Sequence, residues 1–193
     1  FGLFFIGIDV LQEAFATFAL SVDVAGFAPQ GGLGLVLYVL LGFAMTVLTQ
    51  SSSAAIALTL TAASGGVLAL NAAAAMVIGA NVGTTSTAAL AVIGATPNAR
   101  RVAAAHVCFN LLTGGVALLL LPFMLLAVDR GGAALGLAAI PTVALALFHT
   151  SFNILGVVLM WPLTPWLARF LSRHFGNRAE RLALPQYLDR NVL

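Results

Sequence analysis

Long apolar runs interrupted by short polar knots organise this chain. Residues 1–22 read as a first helical segment, apolar apart from Asp9, Gln12 and Glu13. Asp9 and Glu13 stand four apart and share one helix face, so in a membrane that face is expected to look into protein or water. Pro29 and the adjacent Gly31 and Gly32 mark a turn between Gly26 and Gly34. Residues 33–48 are apolar, and then Thr49, Gln50, Ser51, Ser52 and Ser53 follow in an unbroken polar run. The next apolar arm, Ala54 to Ala63, ends at Ser64-Gly65-Gly66. As a helix it would span only about 15 Å, half a hydrocarbon core.

The pattern recurs. Residues 70–80 predict a short Ala-rich helix, Asn81 to Thr87 form a second polar knot, and residues 88–95 are apolar again before Thr96-Pro97-Asn98 turns the chain. Two short arms around each of two knots predict discontinuous helices or re-entrant hairpins. Further helices are expected at 100–126 and 142–161, joined by a loop holding Asp129, Arg130, Gly131 and Gly132. An amphipathic helix over 163–176, opened by Pro162 and Pro165, carries Arg169 and Arg173. Two segments repeat within these helices, His106-x-x-Phe109-Asn110 and His149-x-x-Phe152-Asn153. Each puts His and Asn on one face, as structural glue between helices or as lining of a path.

Composition places these elements in a bilayer. Of 193 residues, 61% are hydrophobic and 7% charged, and no charged side chain occurs between Asp23 and Arg100. A soluble domain carries roughly 25% charged residues. The fold class predicted is all-α: a polytopic integral membrane protein. The net charge of +2 comes from dispersed arginines, which excludes a nucleic-acid footprint. Arg100 and Arg101 precede one span and Arg169, Arg173, Arg178 and Arg181 follow the next, so both clusters lie on one side. The positive-inside rule makes that side, and the C-terminus, cytoplasmic. Cys108 is the only cysteine, so there is neither a disulfide framework nor a cysteine metal site. G-x-S-x-G, H-E-x-x-H and P-loop motifs are absent, and nothing points to an enzyme.

The chemistry sits in the knots. Four consecutive polar side chains, Gln50 to Ser53, are costly between apolar arms unless something satisfies them. A helix break there exposes carbonyls on one arm and amides on the other. The oxygens suit a hard cation, with Thr49, Gln50, Ser51 and Ser52 as Na+ candidates, and the amide end suits an anion. The bland alternative is serine hydrogen bonding between helices. In the second knot Asn81, Thr84 and Thr85 add oxygens, and Gly83 permits a turn. Gly79 and Gly83 equally read as a packing pair. With no Arg or Lys in either knot, a bound anion would depend on helix termini and on a co-bound cation.

Gln50-Ser51-Ser52-Ser53, the segment Gly79-Ala80-Asn81-Val82-Gly83-Thr84-Thr85, and the stretch from Asn98 through His106 to Asn110 together resemble the type II sodium/phosphate cotransporter family, particularly its bacterial members. The resemblance covers most of residues 1–190. It implies an inverted-repeat transporter in which each half contributes a Q-S-S-S hairpin and in which sodium and phosphate bind where the halves meet. By resemblance, Gln50, Ser51, Ser52 and Ser53 are this half's share, with Asn81, Thr84 and Thr85 beside them. No organic cofactor is implied; Na+ is the coupling ion. The implied function is sodium-dependent symport of inorganic phosphate across the inner, cytoplasmic membrane. A carrier of another small anion and a non-transporting assembly module are the alternatives. This chain has one Q-S-S-S, and Leu184 to Leu193 resembles a linker toward a PhoU-like domain. It is therefore expected to be the second half, with residues 1–176 the transport domain and 177–193 the cytoplasmic linker, paired with a first half or with a second copy.

Overall fold

In a computed structural model, the described residues are 31–134, 136, 137 and 140–175, with isolated positions between 2 and 17. Of the turn expected between Gly26 and Gly34, residues 26–30 lie outside the described residues, as does the linker over 177–193; the chain is already helical from Gly32. The positions described near the N-terminus are helical, and Asp9 and Glu13 are exposed there. Six helices follow: α1 (Gly32–Thr49), α2 (Ser52–Ser64), α3 (Leu70–Ala91), α4 (Pro97–Leu119), α5 (Leu121–Ala134) and α6 (Pro141–His174). No strand occurs among the described residues. Four of the helices, α1, α3, α4 and α6, are long and apolar enough to cross a membrane. Helix α2 has 13 residues, about 20 Å, and falls short of the hydrocarbon thickness.

Helices α1 and α3 run parallel in close contact, and the glycines explain how. A Cβ on Gly42 would collide with the Met76 carbonyl, and one on Gly79 with the Val39 carbonyl. A Cβ on Gly83 would lie 2.6 Å from Thr46 Cβ. Small residues let the backbones approach and give dispersion contacts that substitute for a hydrophobic driving force in lipid. The buried Thr46 hydroxyl reaches across this seam to the Ala80 carbonyl at 3.0 Å. Because α1 and α3 are parallel, the intervening α2 returns, so α1 and α2 form a helical hairpin with its tip at Gln50-Ser51. The fully buried Ala73, Ala74, Val77 and Ile78 of α3 centre the core, packed with Leu121, Leu145, Phe148 and Phe152.

Helix α4 runs antiparallel to α3, and α6 antiparallel to α4. Gly114 meets Val82 and Ile78, Gly156 meets Thr113, and Met160, Leu167 and Leu171 pack on Ala104, Ala105 and Phe109. At the end of that run the Arg101 guanidinium donates to the Phe175 carbonyl at 2.9 Å and to Asn98 at 2.7 Å. Arg100 and Arg101 thus share one end of the bundle with Arg169 and Arg173, where the hairpin tip also lies.

Three expectations are corrected. The second knot does not interrupt the chain: α3 is one helix from Leu70 to Ala91. Its polar side chains fold back onto it, Thr84 Oγ1 to the Asn81 carbonyl at 2.7 Å and Ser86 Oγ to that of Gly83 at 2.7 Å. Gly83 is a packing position, not a turn. Next, Asp129 to Gly132 belong to helix α5. The interruption falls earlier, at Leu120, because Pro122 has no amide to continue the ladder and suits a first turn. Last, the helices expected at 142–161 and 163–176 are joined in a single helix, Pro141–His174, that runs through Pro162 and Pro165. Thr164 Oγ1 and Arg169 Nε donate to the carbonyls of Met160 and Pro165 across that stretch, at 2.8 and 3.1 Å.

Candidate functional site

The break between α1 and α2 is built from the run Thr49 to Ser53. Gln50 ends α1 in the left-handed conformation, φ 52° and ψ 25°, and Ser51 is extended. A left-handed residue with a side chain costs about 1–2 kcal/mol, and three side chains hold it there. Thr49 Oγ1 donates toward the Met45 carbonyl at 2.8 Å and lies 3.0 Å from the Ser51 carbonyl. Gln50 Nε2 donates to the Val47 carbonyl at 2.6 Å. Ser51 Oγ caps α2 by accepting from the Ala54 amide at 3.2 Å.

Two unlike helix ends therefore meet within two residues. The last carbonyls of α1 carry the negative end of its dipole, and the first amides of α2 carry the positive end. With Ala54 occupied by Ser51, the amides of Ser52 and Ser53 have no intrahelical acceptor. Gln50 and Ser53 are exposed, while Ser51 and Ser52 are half-buried. The arrangement offers oxygens to a cation and N–H groups to an anion side by side.

Helix α3 presents two polar faces. Gly79, Gly83 and Thr87 fall at intervals of four and face α1. Thr87 Oγ1 donates to Gln50 Oε1 at 3.3 Å, which ties the hairpin tip to α3. Asn81 and Thr84 face α4. Asn81 Nδ2 donates to Asn110 Oδ1 at 2.9 Å, and His106 Nε2 lies 3.4 Å from Thr84 Oγ1. Since the single Thr84 proton is directed to the Asn81 carbonyl, His106 Nε2 is the donor in that contact. Thr85 is buried. Among the described residues no hydrogen bond joins Gln50 to Ser53 with Asn81, Thr84 or Thr85; Thr87 makes the link between the knots.

Sequence reasoning did not single out Thr46 or Thr87. Thr87 was readable: it continues the four-residue spacing of Gly79 and Gly83. Thr46 carried no local signal, because its role is a contact 34 residues away.

Residues 3–150 match the family described as Na+/Pi-cotransporter. The chain is 30% identical over its whole length to the protein named "Putative inorganic phosphate export protein YjbB" of Escherichia coli (strain K12), of which it covers 35%. It is 35% identical over 132 residues, 68% of its length, to the uncharacterized protein YqeW of Bacillus subtilis (strain 168), of which it covers 41%. The chain thus spans well under half of each of these relatives. No solved structure matches it significantly.

Proposed function

The chain belongs to the Na+/Pi-cotransporter family, and from that premise we propose that it supplies one half of the translocation site of a sodium-coupled carrier of inorganic phosphate. The observation that carries this reading is the break at Gln50-Ser51, where carbonyl and amide helix ends converge without a fixed cation. Na+ takes oxygens from Thr49, Gln50, Ser51 and Ser52. Phosphate takes the open amides of Ser52 and Ser53 and the serine hydroxyls beside them. Because the break holds no Arg or Lys, the anion binds well only once Na+ adds positive charge, and that dependence couples the two fluxes.

The remainder of the site comes from a second half of inverted topology, in the same polypeptide or a second copy, against which this half moves to alternate access. By the positive-inside rule the end bearing Arg100, Arg101, Arg169 and Arg173 faces the cytoplasm, in the inner membrane. The sodium and phosphate gradients together set the direction of net flux.

The test is radiolabelled phosphate flux in proteoliposomes containing the intact protein, with a Na+ gradient and with K+ in its place. Flux that requires Na+ and is not competed by small carboxylates supports the reading. Flux of equal size in K+ rejects sodium coupling, and competition by carboxylates reassigns the substrate.

A further inference from the structure

We propose that Asn110 is a positioning residue that fixes which end of the Asn81 side-chain amide is left for a cation. This inference rests on the transport reading above. The His106 backbone carbonyl can only accept, and the Asn110 side chain approaches it at 2.9 Å, so Asn110 presents its NH2 there. Its Oδ1 therefore points to the other neighbour, Asn81, which must answer with its own NH2, at 2.9 Å. Asn81 Oδ1 is left over, and among the described residues no hydrogen bond engages it.

Hard cations take oxygen ligands and are repelled by an amide NH2. An Asn free to flip would offer either end; this one is committed to oxygen. Asn110 suits the task because it is 3% exposed, with little room or water to exchange partners. The second H-x-x-F-N segment shows the same internal bond, Asn153 Nδ2 to the His149 carbonyl at 2.8 Å. The motif is thus a device that turns an Asn oxygen outward from its own helix. Along α3, Asn81 lies six residues from Thr87, about 9 Å on the axis. The oriented oxygen consequently sits about two turns further from the hairpin tip along α3, on the face turned to α4.

The test compares Asn110→Leu, Asn110→Asp and wild type in the intact protein, reading the Na+ concentration for half-maximal phosphate flux separately from the maximal rate. Asn110→Leu removes the acceptor and lets Asn81 flip, raising the half-saturating Na+ concentration about 3- to 10-fold, the range one hydrogen bond covers, with the maximal rate at saturating Na+ retained. Asn110→Asp, as the protonated acid in this buried position, donates to the His106 carbonyl and keeps an acceptor for Asn81 Nδ2, and holds the half-saturating concentration at or below the wild-type value. A loss of maximal rate with unchanged Na+ dependence in Asn110→Leu overturns the proposal and leaves packing as the role of Asn110. So does an equal rise in both variants. A wild-type flux indifferent to Na+ is a different failure: it removes the transport reading and with it the cation role. Hydrogen exchange of the Asn81 side-chain amide still decides the geometry, with protection in wild type and its loss in Asn110→Leu.

Discussion

Thr87 Oγ1 and Gln50 Oε1 meet at 3.3 Å and are the side chains through which the hairpin tip is held to α3. The contact is long for a hydroxyl donor, so it steadies the Gln50 carboxamide without locking it. Its orientation has a consequence. With Nε2 given to the Val47 carbonyl, Oε1 is left as the acceptor that meets Thr87, the form a cation needs.

Thr87→Val removes that donor while keeping a β-branched side chain of similar size. The expected result is a half-saturating Na+ concentration for phosphate flux raised by about 2- to 10-fold, the range of one modest hydrogen bond. Sodium titration of flux checks it. Unchanged Na+ dependence would show that the Gln50 carboxamide is held by Val47 alone.

Gln50→Gly separates backbone from side chain. Glycine adopts the left-handed geometry at no steric cost, so the hairpin tip should persist and stability should hold or rise by up to about 1 kcal/mol. Sodium-coupled flux should fall steeply, because both the Oε1 ligand and the tie to Thr87 are lost. Thermal unfolding in detergent, read beside flux, distinguishes this from simple misfolding.

Ser51 and Ser52 should respond differently to alanine. Ser51→Ala removes the cap on Ala54, costing about 1 kcal/mol of local stability at the start of α2, visible as faster amide exchange in its first turn. Ser52→Ala leaves the break and the cap intact; it should weaken sodium or phosphate dependence with folding retained. Wild-type kinetics in Ser52→Ala would take its hydroxyl out of the site.

The glycine seam makes a stability prediction. Gly42→Ala and Gly79→Ala push a methyl into a neighbouring carbonyl and should each cost about 1–3 kcal/mol or more, the usual range for overpacking. Gly115→Ala meets nothing within 4 Å and should be neutral or stabilising by up to about 1 kcal/mol through helix propensity. Melting temperatures of the three variants side by side check the contrast.

Much of this fold could be read from residue pattern. The uncharged stretch after Asp23 announced membrane helices, and the Gln50-Ser51-Ser52-Ser53 run marked a break that is present. The second knot read the same way and is not a break. The difference lies in where the polar groups find partners. Asn81 is answered by Asn110, 29 residues on, and Thr84 and Ser86 by carbonyls one turn back. The Asn110 contact is invisible locally, and with these groups partnered the alanine-rich helix runs through unbroken. Pro162 and Pro165 misled for a related reason: packing of Met160, Leu167 and Leu171 against α4 holds α6 together across them. Of the candidate ligands, Gln50 to Ser53 gather at one break, whereas Asn81 and Thr84 face α4, a division that depends on helix phase rather than residue type.

On the proposed reading, an anion binds at the break only when a cation has supplied positive charge there. Equilibrium binding of labelled phosphate to the purified intact protein, titrated with Na+ against a K+ control at constant ionic strength, tests it most directly. Phosphate affinity should rise with Na+ and, by linkage, phosphate should tighten Na+ binding by the same factor. Equal phosphate affinity in Na+ and K+ would contradict it.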